Sequence, residues 1–184
     1  MMNDTITLRP AQPEDADRAS VLLYSAYMHR QESYPLHEEG ENRFIERLGH
    51  YFRQAGNRFS YQFIEVAEVG SEVVGLVLSF GGRDEAGLNA AVGGWLEREA
   101  QEDEWYVDGV AVFTNWGRKG IGTRLLQAAE QQARQHGYAK IALNVAVENE
   151  QALALYKRLR YVVTQETLLY QHRYVRLVKR LDNG

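Results

Sequence analysis

The chain contains no cysteine. A disulfide, a thiolate metal site and an acyl group carried on a cysteine are therefore excluded. No segment supplies the roughly 18 uninterrupted apolar residues that a membrane span requires, so no membrane partner is expected. The run Met1-Met2-Asn3-Asp4-Thr5-Ile6-Thr7 lacks the basic and apolar regions of a signal peptide, and a cytoplasmic location is expected. A basic surface is missing too. The formal net charge of -4 argues against non-specific nucleic-acid binding. The five histidines, His29, His37, His50, His136 and His172, show no ligand spacing, so no metal is expected. Neither an internal repeat nor a low-complexity tail is visible.

What is present is enough for one domain spanning residues 1–184, with 45% of its residues apolar and 25% charged. Thr5–Leu8 alternates and is β-prone. Pro13 can open a helix, with Glu14, Asp15 and Asp17 at the positive end of its dipole and Ala19, Leu22, Leu23, Ala26 and Tyr27 on one face. After a looser stretch, Gln31–Gly40, the spacing of Phe44, Ile45, Leu48 and Phe52 predicts a second helix. Tyr61–Val69 and Glu72–Phe80, separated by Gly70-Ser71, read as a hairpin. The segment 81–104 is broken by paired glycines and reads as an insertion near the acceptor site, with a short helix in Leu88–Leu96. Trp105–Phe113 returns to strand character. Lys119–His136 reads as a helix, Lys140–Val147 as a strand and Glu150–Leu159 as a helix. Tyr161–Leu169 and Tyr174–Leu181 close the chain as a hairpin. The order implies an α/β (α+β) domain whose mixed sheet has parallel pairing in the second half and antiparallel pairing elsewhere.

The sharpest local feature is Gly117-Arg118-Lys119-Gly120-Ile121-Gly122-Thr123, between a strand and a helix. Glycines let the backbone turn tightly and approach a ligand, and a helix start offers unpaired N–H groups. That combination suits a pyrophosphate, with Arg118, Lys119 and Arg124 adding charge. A P-loop is excluded because no Gly-Lys-Ser/Thr follows, and the dinucleotide fingerprint fails because its third glycine falls on Leu125. Taken by itself, such a turn also fits a structural loop bearing solvated cations.

Further residues narrow the choice. Asp108-Gly109-Val110-Ala111-Val112, followed after a short turn by Arg118-Lys119-Gly120-Ile121-Gly122-Thr123-Arg124-Leu125-Leu126, resembles the acetyl-CoA motif of GNAT acetyltransferases. Downstream, Asn149, Ala152, Tyr156 and Tyr161 are similar to that family's N-x-x-A-x-x-x-Y-x-x-x-G-F signature. The opening Leu8–Ala16 is similar to its first strand and helix. Two departures stand out. The family's Q/R-x-x-G-x-G/A begins here on Gly117 with arginine displaced to Arg118, and the glycine of the second signature is replaced by Arg160.

The resemblance implies a single GNAT domain. Its mostly antiparallel sheet of six to seven strands would be flanked by about four helices and splayed centrally for acyl-CoA. It also implies N-acetyl transfer from acetyl-CoA to a primary amine, most simply of a small molecule, by direct attack in a ternary complex. A non-catalytic acyl-CoA sensor and a protein N-terminal or lysine acetyltransferase are the alternatives, and a homodimer is compatible with the family. Acetyl-CoA would be held by Val110, Ala111 and Val112 on the strand edge, by Gly117, Arg118, Lys119, Gly120, Ile121, Gly122 and Thr123 at the bend, and by Asn149 and Tyr156. Tyr156 would protonate or hydrogen-bond the departing thiolate, although a core tyrosine also fits its helical stripe. Asn149 also suits an N-cap. Asp108 and Tyr106, two apart on one strand, are candidates to relay the amine proton through water, although each also fits a hydrogen-bonded strand residue. The acidic run Glu97, Glu99, Glu102, Asp103 and Glu104 reads either as a solvated face or as an attractor of cationic acceptors. Tyr27, Tyr34 and Trp95 are candidate walls of the acceptor pocket.

Overall fold

A computed structural model describes residues 5–27 and 40–181. Tyr34, His29 and His37 lie outside the described residues. The strands are β1 (Ile6–Pro10), β2 (Ile64–Val69), β3 (Glu72–Gly81), β4 (Trp105–Val112), β5 (Lys140–Ala146), β6 (Val162–Leu169) and β7 (His172–Arg180). The helices are α1 (Ala16–Tyr27), α2 (Glu41–Arg53), α3 (Glu85–Ala90), α4 (Ile121–Gln135) and α5 (Glu150–Arg158). One seven-stranded sheet runs in the order β1-β2-β3-β4-β5-β7-β6. It is a mixed α/β fold, with five helices among the described residues rather than about four. None of these helices is long and apolar enough to cross a membrane.

Each face of the sheet is covered. Leu22, Leu23 and Tyr27 of α1 and Phe44, Leu48 and Phe52 of α2 join Val66, Leu76, Leu78 and Phe80 on one side. Ile121, Leu125, Leu126, Ala129 and Ala133 of α4 meet Val74, Val77, Ile141 and Leu143 on the other. The 3.6-residue stripes of these helices therefore match the two-residue alternation of the strands. Buried from Val73 to Gly81, β3 is the centre of this sandwich.

Antiparallel pairing joins β3 to β4, whereas β4 and β5 are parallel and paired only at Trp105↔Ile141 and Tyr106↔Ala142. Beyond Tyr106 the two strands part. A β-bulge in the β3–β4 ladder coincides with the parting: Leu78 faces Gly109 while Ser79 faces Val107, leaving Asp108 as the extra residue. A bulge bends its strand and re-aims its side chains. Asp108 and Gly109 consequently both turn toward α1, where a Cβ on Gly109 would lie 3.1 Å from that of Ala26. The sheet opens at the point where its ladder is irregular.

Several element bounds differ from those expected of the sequence. The first strand extends to Pro10, and Pro13–Asp15 forms a 3-10 turn before α1. The helix of the 81–104 segment is earlier than expected, at Glu85–Ala90. The helix after the glycine-rich bend begins at Ile121, not Lys119, because Gly120 takes φ +76 as its N-cap. The turn joining β6 to β7 uses Tyr170 (φ +50) and Gln171 (φ +63), both in the left-handed region.

Candidate active site

Two adjoining cavities line the opening. The first, about 510 Å³, is walled by Val112, Trp116, Gly117, Arg118, Gly120, Ile121, Gly122, Thr123, Leu155 and Arg158. At the start of α4 no side chain caps the helix. The Arg124 amide donates to Gly120 O, so the amides of Ile121, Gly122 and Thr123 precede the first intrahelical bond. A Cβ at Gly120 or Gly122 would meet nothing within 4 Å. The bend thus presents backbone N–H groups and open space together, which fits a diphosphate group. Lys119 sits beside this cavity, its ammonium 4.3 Å from the centre of the Trp116 ring.

Val112 also borders the second cavity, about 290 Å³, which fills the gap between β4 and β5. Its wall takes Asp108, Val110 and Ala111 from β4, Asn144 from β5, Asn149 and Tyr156 from α5, Ser25 and Ala26 from α1, and Tyr174 from β7. The Phe113 amide donates to Val74 O on β3. By the alternation of a strand, Val110 and Val112 then direct their backbone groups toward the gap. The two cavities adjoin at Val112, between the bend and the foot of the opening.

Half-buried Tyr156 is on the α5 side of the second cavity, edge-on to Tyr161 at 5.7 Å. Burial pushes its hydroxyl up to about 12. Asn149 is the N-cap of α5, its Oδ1 accepting from the Ala152 amide at 3.2 Å, and it lines the cavity as well. Cap and cavity wall are compatible roles for one side chain.

Asp108 and Tyr106 part company. Arg58, fully buried, holds Asp108 through a fork, Nε to Oδ2 at 2.9 Å and Nη2 to Oδ1 at 2.8 Å. The Tyr27 hydroxyl donates to the same carboxylate. Burial pushes the Asp108 carboxyl well above its ordinary range. Tyr106 is fully buried and does not line the cavity. Its hydroxyl donates to Glu99 at 2.6 Å and accepts from Asn144 Nδ2 at 3.0 Å. Asn144 therefore stands between Tyr106 and the cavity. Its Oδ1 is buried with no hydrogen-bond partner among the described residues.

Residues that the sequence did not single out hold this floor in place. Arg58 also reaches Glu85 at 3.2 Å, Glu99 at 3.3 Å and Asn89 Oδ1 at 2.7 Å. Glu85 accepts the Glu99 and Ala100 amides, and Glu99 accepts the Tyr170 hydroxyl at 2.7 Å. Arg176 binds Glu104 and the Glu99 carbonyl. The acidic run is thus not simply a solvated face: Glu99 and Glu104 are buried, while Glu97, Glu102 and Asp103 are exposed. Tyr27 and Trp95 pack on Phe59 within the core cluster, at ring separations of 5.4 and 6.3 Å. No local pattern marks Arg58, which lies in the connection between α2 and β2.

No curated protein matches the chain in sequence. Among solved structures, an N-acetyltransferase from Staphylococcus aureus Mu50 superposes with a TM-score of 0.85 at 27% identity, covering 94% of this chain and 100% of that one. A second, described as an acetyltransferase, gives 0.82 at 25% identity over 96% and 100% of the two chains. The fold is shared with yncA from Salmonella typhimurium, solved with its cofactor acetyl-CoA, at 0.65 and 16% identity over 97% and 95%. The model of the acetyltransferase (GNAT) family matches residues 23–161. With that match covering the bend, β4, β5 and α5 around the opening, the chain belongs to the GNAT acetyltransferase family.

Proposed function

We propose that the chain transfers an acetyl group from acetyl-CoA to the primary amine of a small molecule, by direct attack within a ternary complex. The observation that carries this reading is the pair of cavities that adjoin at Val112, one at the uncapped α4 amides and the other the 290 Å³ gap bordered by Tyr156. Acetyl-CoA, when bound, supplies an activated thioester. The amides of Gly120–Thr123 hold its diphosphate, and the open edge at Val110 and Val112 orients its pantetheine arm as an added strand would be held.

Acceptor chemistry follows from the foot of the gap. Its volume suits a small substituent beside the thioester rather than a folded protein surface. Asn144 Oδ1, buried and unsatisfied among the described residues, offers a hydrogen-bond acceptor to an amine N–H. A free alkyl ammonium, with a pKa of about 10.4, must lose a proton before its nitrogen can attack. Asp108 is the one carboxylate among the described residues that lines this gap, and burial raises its affinity for protons, in the direction a base requires. The amine nitrogen then bonds to the thioester carbon, the C–S bond breaks, and the sulfur leaves as a thiolate. Tyr156 keeps its own proton and donates a hydrogen bond to that sulfur. Full transfer from a hydroxyl near 12 to a thiolate whose acid has a pKa of about 8.5 would run uphill.

The test is thiol release from acetyl-CoA with a panel of small amines and, in parallel, lysine-containing and N-terminal peptides. Turnover is expected with a small amine. Tyr156→Phe should lower kcat by about 100-fold or more while acetyl-CoA still binds. Binding without turnover across the whole panel would make the protein a sensor instead. Turnover with peptides alone would move the acceptor to a macromolecule.

A further inference from the structure

A cavity of about 1020 Å³ lies where β5 begins and β7 ends, and it shares Arg158 with the cavity at the bend. Its wall carries seven cationic side chains and no carboxylate, in a chain whose formal net charge is -4. Three of the seven have carboxylate partners outside the wall: Lys140 with Asp103 at 2.9 Å, Lys179 with Glu130 at 2.8 Å, and Arg176 with Glu104. Arg134, Arg158, Arg160 and Arg180 form no ion pair among the described residues. Like charges gathered in a concavity focus a positive potential, and four guanidinium groups offer forked donors matched to phosphate oxygens.

Arg160 adds a second observation. It follows α5 with φ +70, a conformation in which a side chain is strained and glycine is at ease. The strain here places a guanidinium on the groove wall. Beside these cations, Leu159, Val162 and Val178 supply an apolar flank, and Val162 is 64% exposed.

We propose that this groove binds a small phosphorylated ligand of the nucleoside polyphosphate class, adjoining the bend cavity at Arg158 but centred on Arg134, Arg160 and Arg180. Phosphates meet the unpaired arginines, and the ring lies against the valine flank. A cavity of this size matches a ligand of that scale. A long nucleic acid fits less well, because the positive potential is confined to the groove while the molecule as a whole is acidic.

Titration calorimetry of the full chain with ATP and with inorganic triphosphate, each with and without saturating acetyl-CoA, tests the site. Binding should persist in the presence of acetyl-CoA, with ATP tighter than triphosphate. Arg160→Gly and Arg180→Gln should each weaken it by about fivefold or more. Arg160→Gly should at the same time raise the Tm of the ligand-free protein, so that lost affinity is not lost folding. Absence of binding, displacement of ATP by acetyl-CoA, or unchanged affinity in both variants would overturn the proposal. Displacement would place the phosphates at the α4 bend instead.

Discussion

At the scale of single residues, the two groups facing each other across the gap are both shaped by burial, in opposite service. Tyr156, pushed up to about 12, stays a donor throughout the neutral range, whereas Asp108, pushed up from the carboxylate range, gains proton affinity. A pH profile separates the chemistry of Asp108 from its structural partnership with Arg58. In Asp108→Asn the rate at neutral pH should fall by about 100-fold. The deficit should then narrow as pH approaches 10, where the acceptor amine sheds its proton unaided. Parallel profiles for the two proteins would assign Asp108 to scaffolding alone. Tyr106 shows how far a two-residue spacing can be read. It shares a face with Asp108, as the alternation requires, yet its hydroxyl ends on Glu99, with Asn144 between it and the cavity.

Among the elements, the β4–bend–α4–β5–α5 run was legible because its signals are local. A strand leads into glycines, a helix stripe follows, and an Asn caps the next helix. The bulge at Asp108 was not legible, since it depends on how β3 and β4 fall into register. Nor was the burial of Glu99 and Glu104, whose partners Arg58 and Arg176 are 41 and 72 residues away. Segment 81–104 is locked to the core through these pairs, and also through close backbone contact. A Cβ on Gly82 would lie 1.8 Å from the Gln101 carbonyl oxygen. Gly82→Ala should therefore cost about 2–3 kcal/mol, read as a lowered urea midpoint. A midpoint equal to that of the parent would mean that 81–104 is not held against β3 by this contact. Tyr170 tells a related story. Its left-handed turn conformation is tolerated because its amide binds Glu97 and its hydroxyl binds Glu99.

For the whole molecule, one cation organises three separate regions. Arg58 connects Asp108 on β4, Glu85 on α3 and Glu99 before β4, with the tyrosine hydroxyls of Tyr27, Tyr106 and Tyr170 satisfying remaining carboxylate oxygens. Breaking a buried pair leaves charges without compensation, so Arg58→Leu should cost about 3–5 kcal/mol in chemical denaturation at neutral pH. The loss should shrink in mild acid, where the orphaned carboxylates take up protons. An unchanged midpoint would remove Arg58 as the keystone of the floor. Above that floor the sheet opens beyond Tyr106, and the cavity in the opening adjoins the one at the α4 amides through Val112. Backbone NMR during an acetyl-CoA titration tests this arrangement most directly. The amide resonances of Gly120, Ile121, Gly122 and Thr123 should move together with those of Val110 and Val112. Saturation that leaves these six amides in place while perturbing residues elsewhere would contradict it.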